Sequence, residues 1–280
     1  MTHARLAYLP LPTYPEPVED AAVTAAVALA ASLGFALHAT AFSVDIPSLS
    51  SGLGDLLIDV PALVRAAEDK SKAECQRLQG VVQQAAMAAG LDLLWTTQHV
   101  ALGATHDWAA SEARYFDLTL LPWSPRSGAV QDLAQALVFG AGRPSLLVPS
   151  GAKIGRLDHI AIAWDASRFA ARALGDALPL LAEGGRISVL TAAEDKPMGR
   201  TDIGRVLATM LERRGFRAAP LAVTLGQRSI AQALQEVAQS SGAQLLAMGG
   251  FGHSRVRDFI LGGATKGVLA DLHMPVLLSH

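Results

Sequence analysis

Short apolar runs alternate with longer helix-patterned stretches along the whole of the 280-residue chain. Such alternation is the pattern of a parallel sheet whose strands are joined by crossover helices. In the second half, strands are expected at 158–164, 186–192, 216–223, 244–248 and 275–279. Helices are expected at 168–181, 201–214, 229–241 and 262–272, with Gly215 ending the second and Ser229 capping the third. The first half repeats the rhythm, with strands at 6–9, 36–44, 91–99, 117–121 and 145–148. Its helices are expected at 18–33, 61–89, 109–115 and 128–139.

Two local echoes make this an internal repeat. GRPSLLVPS at 142–150 matches HMPVLLSH at 273–280, with Pro144 opposite Pro275, and DLTLLP at 117–122 matches QLLAMG at 244–249. The polar, glycine-containing segment 150–156 then serves as a linker between a domain at 1–150 and a domain at 156–280. The fold class that follows is α/β: two Rossmann-like open parallel five-stranded sheets with flanking helices, in a pseudo-dimeric tandem repeat.

Hydrophobic residues make up 51% of the chain and charged residues 17%, enough apolar material for a sizeable core. A net charge of −2, without long runs of one sign, argues against nucleic acid and acidic membranes as partners. The single cysteine, Cys75, cannot form an internal disulfide and sits in no cysteine-enzyme signature. No signal-peptide layout opens the chain, and the alanine-rich stretch 18–37 is too weakly apolar to span a bilayer, so a cytoplasmic protein is expected. The histidines show no metal-ligand spacing, and no Gly-x-Ser-x-Gly elbow accompanies His106, Asp107 and Ser111. Segment 48–59 reads as an excursion, and the polar middle of the long helix, 68–79, as an exposed face.

Chemistry concentrates at the end of the second half's fourth strand. Gly249-Gly250-Phe251-Gly252 follow that strand directly, and nine residues later Gly262-Gly263-Ala264-Thr265 enter a helix. Glycines after a parallel strand permit tight turns and close ligand approach. The free amides and positive dipole end of the following helix suit a phosphate. A turn-making role alone would explain a bare Gly-x-x-Gly; the attached helix start makes the pattern more specific.

This two-part glycine motif resembles the nucleotide-binding loop of the universal stress protein family. The ending MPVLLSH, with Pro275 opening the last strand, is similar to that family's close. Ile160-Ala-Ile-Ala-Trp-Asp165-Ala-Ser167 is similar to its opening strand and following acidic residue. The resemblance is good over 156–280 and weak over 1–150, and the whole resembles a tandem member. It implies a stress-response protein that binds ATP or another adenine nucleotide, with or without Mg2+, in its C-terminal domain, regulatory rather than catalytic. Carried over residue by residue, Trp164 and Asp165 would face the adenosine and Ala192 would line the base pocket. Met248, Gly249 and Gly252 would touch ribose and inner phosphates, and Gly262, Gly263, Ala264 and Thr265 the outer phosphates. His253, Ser254 and Arg255 would add charge or hydrogen bonds to phosphate oxygens, although a solvated loop face explains them equally well.

One departure stands in the motif. ATP-binding members usually carry Ser or Thr directly after the third glycine, where this chain has Gly263; the lost hydroxyl costs about 1 kcal/mol. The first half reads Pro122-Trp123-Ser124-Pro125-Arg126-Ser127-Gly128 at the matching place, with no paired glycines and two prolines that donate no amide. No nucleotide is expected there. The resemblance further implies an intrachain pseudo-dimer through strands 145–148 and 275–279, and leaves open a homodimer of whole chains. The alternative is a nucleotide-independent stress protein working through assembly or partner binding. No loop residue is placed to act as a catalyst, so at most weak ATP hydrolysis or phosphotransfer is expected.

Overall fold

The computed structural model describes residues 3–16, 18–47, 59–124, 127–152, 155–192, 202–250 and 263–280. The first half carries β1 (Arg5–Pro12), α1 (Asp20–Ser32), β2 (Phe35–Asp45), α2 (Val60–Ala89) and β3 (Leu93–Ala101). It continues with α3 (Thr105–Ala113), β4 (Leu118–Trp123), α4 (Gly128–Gly140) and β5 (Ser145–Pro149). The second half runs β6 (His159–Ala163), α5 (Arg168–Ala177), β7 (Arg186–Ala192), α6 (Ile203–Arg213) and β8 (Arg217–Val223). It closes with α7 (Ile230–Ser240), β9 (Leu245–Gly249), α8 (Gly263–Ala270) and β10 (Val276–Ser279).

Local chemistry sets several of these boundaries. Ser127, Ser167 and Ser229 each accept a bond from the third backbone amide of the helix they open, and Gln232 completes a capping box with Ser229. Gly90 ends α2 in the left-handed conformation at φ 61°, which a side chain would disfavour.

The strands form one ten-stranded sheet in the order β3-β2-β1-β4-β5-β10-β9-β6-β7-β8. Every pairing within a half is parallel. The two five-stranded sheets of the sequence reading are thus joined, and the join is antiparallel, with Val276 opposite Leu147 and Leu277 opposite Leu146. The cause is visible in β5 and β10, whose apolar residues are all buried. An unpaired strand of that kind would leave a sticky edge with unsatisfied amides and carbonyls. Pairing the two ends covers both. The outer edge β8 carries Pro220, which offers no amide to a further strand.

The middle of α2 has an exposed face, with Asp69, Lys70, Lys72 and Gln76 in solvent, and also a buried stripe: Ser71, Cys75 and Leu78 are buried where the helix lies along α1 and β2. The Ser71 hydroxyl accepts from the Val44 amide at 3.0 Å and bonds the Thr13 hydroxyl at 2.7 Å. Few buried positions, spaced at helical intervals among charges, hide such a face from a reading by local polarity. The expected excursion at 48–59 falls almost wholly outside the described residues.

Candidate functional site: a cleft at the switch point of the second half

From β6 the chain moves outward to β7 and β8, then returns to β9 on the other side of β6. Connections after β6 and β9 therefore diverge, leaving a crevice at the carboxyl ends of these two strands. Ligands of open α/β sheets bind at such places. The crevice has a volume of about 330 Å³. Along β6 and its exit it is lined by Ala163, Trp164, Asp165 and Ser167; Leu190 and Ala192 come from β7. Met248 and Gly249 end β9 on the opposite wall, with Gly263 and Ala264 at the start of α8.

Seven of the residues singled out in the sequence thus meet in one cleft: Trp164, Asp165, Ala192, Met248, Gly249, Gly263 and Ala264. Thr265 does not line it; the side chain is buried behind, and its hydroxyl has no hydrogen-bond partner among the described residues. It cannot replace a hydroxyl missing at 263. Gly252, His253, Ser254, Arg255 and Gly262 lie outside the described residues.

The turn after β6 is tightly specified. Asp165 Oδ1 accepts from the Ser167 amide at 2.9 Å, and Ser167 Oγ accepts from the Ala170 amide at 3.1 Å. Between them Ala166 takes a left-handed φ of 62°, the one non-glycine among the described residues to do so. Backbone strain held by surrounding bonds is common at ligand sites. Here it places Asp165 at the rim, where a carboxylate can accept from hydroxyl or amine donors. On the far side, the first amides of α8 have no partners within the helix and can donate.

Among the lining residues not named as site residues from the sequence, Leu225 comes from the β8–α7 connection and Ile230 and Leu234 from α7, and with Leu190 they give the cleft an apolar floor. The capping box at Ser229 was the available signal: it fixes the start of α7, so Ile230 and Leu234, one turn apart, share a face at the strands' carboxyl end.

The glycines also have packing duties. A Cβ at Gly249 would lie 2.6 Å from Phe169 Cβ and 2.9 Å from its backbone carbon. One at Gly250 would lie 2.6 Å from Val138 Cγ1 on α4, in the other half. At Gly263 nothing lies within 4 Å. Beside this, the His280 ring stacks on Phe169 at 4.8 Å and meets Phe139 edge-on at 5.3 Å, so both halves touch it.

Burial holds the pKa of His280 below its ordinary value, with Arg168 adding to the effect, and burial does the same at His38 and His159. Folding therefore favours the neutral rings, and the unfolded chain takes up protons first as the pH drops below about 6.5. Stability is expected to fall between pH 7 and pH 5.5, read as a decreasing urea midpoint. A constant midpoint across that window would contradict this.

Among the described residues, the strand registers show how the first half differs at the matching place. Ala7 pairs with Leu118 as Ile160 pairs with Leu245, which superposes the two halves. Ala7 is opposite Leu37 and Ile160 opposite Ile187, so the position of Ala192 is taken by Phe42. Phe42 is 1% exposed. Pro12 stands where Asp165 does, and Pro122 where Gly249 does. The side chains that would bound a ligand are replaced by one that fills the space and two that offer no polar contact.

A tandem open-sheet α/β fold with a cleft at the switch point of its second half is the class so defined. Residues 156–280 match the model of the Universal stress protein family. Over the whole chain, the fold is similar to that of a universal stress protein from Archaeoglobus fulgidus DSM 4304, at 16% identity and a TM-score of 0.66. That match covers 97% of this chain and 95% of the other. A protein of Pseudomonas aeruginosa UCBPP-PA14, also described as a universal stress protein, is similar at 14% identity and a TM-score of 0.54, covering 99% and 93%. No curated protein sequence matches the chain. Among the described residues no helix is long and apolar enough to cross a membrane.

Proposed function

We propose that this is a stress-response protein that binds ATP or another adenine nucleotide in the cleft of its second half and acts as a regulatory binding protein rather than an enzyme. The observation that carries the reading is the cleft's polarity. An apolar floor of Leu190, Leu225, Ile230 and Leu234 suits a base, Asp165 at the rim suits ribose hydroxyls, and the opening of α8 suits phosphates. Mg2+, when it accompanies ATP, would be held mainly by the phosphate oxygens. Among the described residues that line the cleft, Asp165 is the sole ionisable one. Burial pushes the Cys75 thiol upward, so it is a poor nucleophile at neutral pH. The β5–β10 join supports reading the chain as an intrachain pseudo-dimer, with pairing of whole chains an extension of the same idea.

Equilibrium binding of labelled ATP to the full chain tests the proposal. Saturable binding is expected, and no detectable binding at millimolar nucleotide would overturn it. Gly263→Ser is expected to raise ATP affinity about fivefold, since one restored contact of about 1 kcal/mol has that effect. Among the described residues, no atom would crowd a side chain at Gly263. A second reading, a nucleotide-independent protein, is favoured by Gly263 itself and by the filled first half. Adenine nucleotide released from the purified protein on denaturation, detected by mass spectrometry, would count against it.

A further inference from the structure

Strands β6, β7 and β8 each open on a basic residue, and the register sets them in one row. His159 lies opposite Arg186, and Arg186 opposite Arg217. In-register residues of adjacent strands project from the same face. Like charges placed side by side in this way cost stability. The next row on that face is Ala161, Ser188 and Ala219, whose short side chains leave it hollow. The result is a cleft of about 490 Å³ at the amino-terminal ends of the strands, away from the switch-point cleft. His159, Arg186, Ser188, Glu212, Phe216 and Arg217 are among its lining residues.

His159 contributes orientation rather than charge. Burial and the neighbouring Arg186 both lower its pKa, favouring the neutral ring. The tautomer that fits its contacts donates from Nε2 to Ser188 Oγ at 2.8 Å and accepts from Arg186 Nη2 at Nδ1, at 3.4 Å. Arg186 is thereby held over the cleft. Arg217 rests against the turn before β7, where a side chain at Gly184 would come within 3.1 Å of its Nη2. Arg77, Arg156, Arg172, Arg205 and Arg228 each have a carboxylate partner. Neither Arg186 nor Arg217 has an ion pair among the described residues. Of the cleft's lining residues only Glu212 is acidic, so the two guanidinium groups leave it net positive.

We propose that Arg186 and Arg217 form a second binding site, for a small phosphoryl oxyanion, independent of the nucleotide cleft. Guanidinium forks donate paired N–H groups that match such oxygens, and a bound anion relieves the repulsion within the row. Phe216 gives the cleft an aromatic wall for an organic portion. The shared chemistry is the phosphoryl group, carried by free phosphate or by a phosphorylated small molecule.

The test is calorimetric titration of the full chain with inorganic diphosphate, and separately with phenyl phosphate, at fixed ionic strength. Saturable binding is expected, weakened about tenfold or more in Arg186→Gln/Arg217→Gln. That double variant should keep or exceed wild-type thermal stability and retain ATP binding. Tighter binding of phenyl phosphate than of inorganic diphosphate would point to a phosphorylated organic molecule, and binding of diphosphate as tight or tighter to the free anion; both support the site. Absence of saturable binding, or binding unchanged in the double variant, would overturn it.

Discussion

Replacing Gly249 with alanine is expected to destabilise the protein by about 2–3 kcal/mol, through overpacking alone and without reference to any ligand. The added Cβ would meet Phe169 Cβ at 2.6 Å, its carbonyl carbon at 2.9 Å and the Ala170 amide nitrogen at 3.0 Å. Two of those atoms are backbone at the start of α5, so no flexible side chain can swing away. The helix must move off the sheet, and Phe169 carries the His280 stack with it. For a chain of this size the loss should lower the midpoint of thermal unfolding by roughly 5–10 °C. A wild-type midpoint would show instead that α5 yields at little cost. Loss of ATP binding in this variant would say little about phosphate contact, because the cleft wall itself has moved. Gly263→Ser is the cleaner probe, since that position faces open space.

The same contrast shows what was legible in the sequence. Strand-to-helix rhythm located every strand and helix described, because buried parallel strands are apolar throughout and their crossover helices are long. The matched endings around Pro144 and Pro275 marked the strands that meet, and their pairing makes one sheet of two. What sequence reading missed depends on contacts between distant segments. The glycine pair 249–250 reads as a phosphate loop, yet both positions are demanded by close neighbours, one on α5 and one across the join on α4. Leu225, Ile230 and Leu234 read as core because an apolar floor and a core have the same composition. The buried stripe of α2 runs through Ser71, Cys75, Leu78, Val82 and Ala86, and its polar member, Ser71, does not announce burial by its type. The expectation of no nucleotide in the first half rested on missing glycines and added prolines, whereas the register adds a difference on β2, a phenylalanine at the position of Ala192 that no loop motif includes.

That phenylalanine supplies the sharpest test of the nucleotide cleft. Ala192→Phe should transplant the first half's blockage into the second, since Phe42 occupies the matching register position. Ala192 is exposed at the end of β7, so a larger side chain there has solvent on one side and should leave the fold intact. Denying a base its contact with the floor forfeits on the order of 100 Å² of apolar burial, or about 2.5 kcal/mol. ATP affinity should therefore drop by roughly 50- to 100-fold. The thermal midpoint without nucleotide should stay near that of the wild type, while the rise produced by saturating ATP disappears, because a ligand stabilises only the state that binds it. Undiminished ATP binding would mean that the base does not use the β7 wall, and would move it out of the cleft bounded by Trp164, Ala192 and Leu225.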